Sequence, residues 1–111
     1  MAGVFTKMSG NGAHSINIAA SALIDEINAE LVAESRRTVG KANVVLLSFE
    51  KYYMRNGNYA SLTVMLTESN GQQTADIIGS GGGGGLFNIS WGANSDFAED
   101  AERILLRYGF R

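Results

Sequence analysis

The chain has 111 residues, 45 % of them apolar and 18 % charged, a balance that suits one soluble globular domain with a single modest core and excludes an intrinsically disordered polymer. Nine Lys and Arg against eleven Asp and Glu leave a net charge of -2 and a pI near 5.3, without the basic excess that displaces counterions from nucleic acid. There is no cysteine, which removes disulfides, thiolate metal sites and cysteine nucleophiles.

Met1 to Gly10 lacks both a charged n-region and an apolar h-region, so no signal peptide is expected. The longest apolar run, Val44 to Leu47, is far short of the roughly 20 residues that span a bilayer. The expectation is a cytoplasmic protein with no membrane and no nucleic-acid partner. Arg36, Arg37, Lys41, Lys51 and Arg55 cluster in sequence, but on a sheet they need not share a face, and they read as solvated charge.

In chain order, Val4 to Met8 is a short strand ended by Ser9-Gly10-Asn11-Gly12. From Ser15 the spacing of Ile16, Ala20, Leu23, Ile24 and Ile27 marks one face of an amphipathic helix. Ile27, Ala29, Leu31 and Ala33 then alternate at period two, so the pattern predicts a helix over 15–27 and a strand over 30–39, with Gly40-Lys41 turning the chain. Three strands follow over 43–55, 59–67 and 72–79, rich in Val, Leu, Phe, Tyr and Thr and separated by Asn56-Gly57 and Asn70-Gly71. The run Gly79 to Gly85 comes next, and Leu86 to Trp91 alternates as a further strand. The last element is a helix capped by Asp96 or Ser95, with Glu99 completing a capping box. Phe97, Ala101, Ile104, Leu105 and Tyr108 form its stripe, Glu99 and Arg103 pair across one turn, and Gly109 stops it.

Two-residue hairpin loops fix pairing arithmetically. With Asn56-Gly57 as the first loop, Tyr53 faces Ala60, Phe49 faces Val64 and Leu47 faces Leu66. With Asn70-Gly71 as the second, Leu66 faces Ala75 and Val64 faces Ile77. All these residues fall on one side, the expected core. The other side receives a row of Tyr52, Ser61 and Ser80, then a row of Glu50, Thr63 and Ile78, with Asp76 beside Met65 beyond. Its plain reading is the solvated side of an antiparallel sheet; its functional reading is the floor of a shallow site rimmed by glycines. Lys51 is a misfit on the core side, opposite Leu62, where its stem packs and its ammonium reaches water.

The glycine run formally matches G-x-G-x-x-G, but any glycine run does. It leads into a strand pattern rather than a helix, and it lacks the Gly-Lys-Ser/Thr ending of a P-loop. It reads as a flexible connection, or as a nest of amides that an anion or second chain approaches. His14 is the only histidine and has no acidic sequence neighbour, so neither a catalytic base nor a metal site is expected.

From Phe49-Glu50-Lys51-Tyr52 through Gly57-Asn58, Ser61-Leu62 and Ser80-Gly81-Gly82 to Phe87 and Ile89, the sequence resembles the small, mostly Firmicute bacterial proteins of domain-of-unknown-function family 6054. The resemblance covers roughly residues 27–97. It departs in the long glycine stretch Gly81 to Gly85 and in Trp91-Gly92, where an Asn-Thr-aromatic-Gly stretch is common. The resemblance implies a fold and no activity.

The sequence thus predicts an α+β domain: one antiparallel sheet of five or six strands in the order β-α-β-meander-β-α, with two helices packed on one face. The expected function is non-catalytic binding or interaction through Glu50, Tyr52, Ser61, Thr63, Ser80, Gly81 and Gly82, without cofactor or metal. Homo-oligomerisation through that face or the Leu86 to Trp91 edge is its expected form, with a small molecule or another protein as further partners. The alternatives are a carrier holding a ligand between the sheet and the C-terminal helix, beneath Phe97 and Ile104, and third an enzyme using Glu50.

Overall fold

Local signals place the elements in a computed structural model, which describes residues 3–54, 57–81 and 91–111. They are β1 (Gly3–Gly10), α1 (Ile16–Glu26), β2 (Glu30–Val39), β3 (Ala42–Tyr53), β4 (Asn58–Ser69), β5 (Gln72–Gly81) and α2 (Trp91–Arg107). Ser15 starts α1, its hydroxyl accepting from the Ile18 amide at 3.3 Å. The period-two pattern after Ile27 becomes β2, as the alternation predicts. Gly40 has φ +59 in the turn to β3, and Asn70 and Gly71, at φ +53 and +78, make the two-residue hairpin between β4 and β5.

The five strands form one antiparallel sheet in the order β1-β5-β4-β3-β2, and the fold is α+β. The helices lie on one face, α2 over β1, β5 and β4 and α1 over β3 and β4. Between helices and sheet lie Val45, Leu47, Phe49, Leu62, Val64, Leu66 and Ile77, met by Ile16, Leu23, Phe97 and Leu105. Ala19, Ala20, Ala98 and Ala101 are buried as well, small enough to let both helices approach closely. The chain closes with Phe110, fully buried, whose neighbours Ser9 and Arg111 exchange backbone hydrogen bonds along β1. The twelve-residue strands β3 and β4 run along the long axis of a molecule 44 × 24 × 23 Å.

The structure corrects four expectations. In the first hairpin Tyr53 pairs with Asn58, so four residues, 54–57, connect the strands instead of two. Pairing is thereby displaced by two residues: Leu47 faces Val64, Phe49 faces Leu62 and Lys51 faces Ala60. Because side chains alternate with period two, that displacement keeps every residue on its predicted face while changing its neighbour. Second, α2 begins at Trp91, placing Asp96 inside the helix rather than at its cap. The small, polar stretch Gly92-Ala93-Asn94-Ser95 carries no apolar period to betray a helical turn, and Ser95-Asp96 imitates a start. Third, Trp91 is therefore helical and not the end of a strand; the rest of the predicted strand, residues 86–90, lies outside the described residues. Fourth, Arg103 pairs with Asp100, three residues back, in place of Glu99.

Candidate functional site

Sheet parity sends Glu50, Tyr52, Ser61, Thr63 and Ser80 to the face that carries no helix. In the observed register the row is Glu50, Ser61 and Ser80, extended by Glu30 on β2 and Gly3 on β1. Ser61 Oγ and Ser80 Oγ lie 2.7 Å apart, a hydroxyl pair across β4 and β5. Tyr52 does not join them. It pairs with Tyr59 one row outward, their rings edge-to-face with centroids 5.1 Å apart. Thr63 sits one row inward, between Ser48 and Ile78. Gly81 ends β5 beside Ala60, and Gly82 lies outside the described residues.

Glu50, Tyr59, Ala60, Ser61, Ser80 and Gly81 line a hollow of about 190 Å³. That is below the roughly 300–1,000 Å³ typical of small-molecule sites, so the hollow is a shallow surface depression rather than an enclosing pocket. Glu30 and Glu50 are direct cross-strand neighbours, a like-charge pair that costs stability in an isolated sheet. Among the described residues neither has an ion-pair partner, and no group of three or more His, Asp or Glu side chains converges as for a metal.

The face is less polar than the sequence reading suggests. Phe5, Leu46, Met65 and Ile78 are 59, 41, 37 and 44 % exposed and lie in the two rows beyond Glu50-Ser61-Ser80. Phe5 joins this band because β1 pairs with β5, a long-range pairing that no local pattern signals. Leu46 was legible by parity alone, two residues before Ser48.

On the helix side, Phe97 and Leu105 are fully packed in the core. A groove of about 630 Å³ opens instead outside Ile104, lined by Glu26, Asn28, Asp100, Arg103 and Arg107, with Glu26 and Arg107 ion-paired across it. His14 stacks edge-on against Tyr108 at 5.2 Å, close to Gln73 and thus at the end of β5 remote from Ser80. It is not placed to serve the hydroxyl pair as a base.

These features define a two-layer α+β fold in which, among the described residues, one sheet face is uncovered. The chain belongs to a family of unknown function (DUF6054), whose model matches residues 1–109. The match extends the resemblance seen at residues 27–97 to nearly the whole chain. Comparisons with curated proteins and with solved structures returned no match. Among the described residues, no helix is long and apolar enough to cross a membrane.

Proposed function

We propose that the chain is a small non-catalytic interaction domain, bacterial and cytoplasmic, that works as a homo-oligomer through its uncovered sheet face. The observation that carries this reading is the composition of that face. Both helices lie on the other side, and Phe5, Leu46, Met65 and Ile78 stand in water among Ser, Thr and Glu side chains. Tyr52 and Tyr59 add an exposed aromatic pair beyond the Glu50-Ser61-Ser80 row, and exposed apolar patches on monomers are often functional. Apolar side chains interspersed with Ser48, Thr63, Asp76 and Lys7 also match the mixed composition of a non-obligate protein interface.

A second reading, a small-molecule carrier, draws support from the groove beside Ile104, whose volume falls within the range of ligand sites. Its ligand would sit against the outer side of α2 rather than beneath it. A native mass spectrum separates the two. An integer multiple of the 11.8 kDa chain favours the interaction domain, whereas a reproducible mass excess on a monomer favours the carrier.

A further inference from the structure

The two ends of the exposed face are complementary to each other in one orientation. They differ in both charge and size. At one end stand Glu30 and Glu50, with Tyr52 and Tyr59 just beyond; at the other stands Arg37, with Ala42 and Ser69 beyond it. Among the described residues Arg37 has no ion-pair partner, like the two glutamates.

Resting on the reading above, we infer that the partner is a second copy of this chain, docked face to face about a two-fold axis that lies in the interface across the strands. Such an axis reverses strand direction and sets each strand over its own copy. Midway between the two apolar rows, it brings Glu30 of one chain over Arg37 of the other, twice by symmetry. The same rotation lays Tyr52 over Ala42 and Tyr59 over Ser69, large rings over the smallest side chains. It stacks the row holding Phe5 and Ile78 on the row holding Leu46 and Met65, with Phe5 over Lys7, Met65 over Thr63, Leu46 over Ser48 and Asp76 over Ile78. A two-fold axis along the strands brings neither charge pair together, since Glu30 then meets Gly3.

Size agrees as well. Five strands at ~4.8 Å spacing and about six rows at ~6.7 Å give a face of roughly 960 Å², enough for the ~800 Å² per partner of a standard-size interface. Sheets stacked this way keep strand directions within about 30°, as two-layer β packings do. The competing route, edge pairing through β2, is opposed by that strand's own design. It carries a bulge between Leu31 and Ala33 and the charges of Glu34, Arg36 and Arg37 along its length.

The test is a charge exchange read by sedimentation velocity on the full chain. Wild type is expected to dimerise, and Met65→Glu to weaken the dimer at least a hundredfold. Arg37→Glu and Glu30→Arg, each alone, are expected to weaken it about tenfold. Mixed one to one, those two variants should form a heterodimer as tight as wild type, since both contacts again join opposite charges. A wild type that stays monomeric overturns the inference together with homo-oligomerisation, and a dimer indifferent to Met65→Glu removes this face from both. A dimer sensitive to Met65→Glu but with no preference for the mixed pair overturns the orientation alone and leaves the interaction reading standing.

Discussion

At Gly10 the strand β1 runs so close to β5 that a Cβ would stand 2.3 Å from Gln73 Oε1, 2.8 Å from Gln73 Cβ and 3.0 Å from a ring carbon of Phe110. Gln73 is the one buried polar side chain among the described residues, 2 % exposed, and all its polar atoms are engaged. Its amide nitrogen donates to the His14 carbonyl at 2.7 Å and to Glu68 at 2.8 Å, and its oxygen accepts from the Gly12 amide at 3.1 Å. These bonds pin the loop between β1 and α1 to the sheet. Gly10→Ala must displace that side chain, and overpacking of this kind costs about 1–3 kcal/mol. Gln73→Ala leaves partners unsatisfied and should also cost about 1–3 kcal/mol. Gln73→Ala removes the nearest of these obstacles, the amide oxygen, while keeping the Cβ, so urea unfolding of the double variant should show a loss smaller than the sum by at least ~0.5 kcal/mol. Strict additivity would mean that the Cβ at position 73 and the Phe110 ring, rather than the Gln73 amide, exclude a side chain at position 10.

Among elements, two glycines with positive φ test how much of a turn is backbone and how much is packing. Gly109 ends α2 at φ +90, with Gly109 N donating to Leu106 O at 3.3 Å and Phe110 N to Leu105 O at 3.1 Å, a Schellman arrangement. Gly71 has φ +78 but open space around it, whereas a Cβ at Gly109 would meet Asn11 Oδ1 at 2.2 Å. Gly71→Ala should therefore lose only the left-handed penalty, ~1–2 kcal/mol, and Gly109→Ala distinctly more. Equal losses in thermal unfolding would show that Asn11 yields freely. The contrast also marks what the sequence makes legible. Asn70-Gly71 gave its register correctly, because both residues take the positive φ that a two-residue turn requires. The identical dipeptide Asn56-Gly57 did not, because it announces a reversal without stating loop length. Parity survives a two-residue displacement, so the membership of the exposed face was readable while the meeting of Ser61 with Glu50 rather than Tyr52 was not. Phe110 escaped notice for a related reason: its burial depends on a bridge to Gly10, a hundred residues away, for which no local pattern exists.

For the whole molecule, the asymmetry of the layers sets the energetics. One sheet face is sealed by α1 and α2, and the other leaves a band of side chains in water that a second copy would cover. If folding and pairing are linked, mass action makes stability depend on protein concentration, because the dimer binds the folded chain alone. Each tenfold rise in concentration above the dimer dissociation constant adds about 1.4 kcal/mol per dimer, which for a domain of this size moves the melting temperature by roughly 3–5 °C. Met65→Glu places a carboxylate in the middle of the band without touching the core, since Met65 points away from the helices. Its melting temperature should equal that of dilute wild type and stay constant with concentration. Wild type should separate from it progressively as both are concentrated, in scans reversible on reheating. A melting temperature that is flat for wild type across three decades would mean that the face is stable in water as it stands, and the energetic case for covering it would be lost.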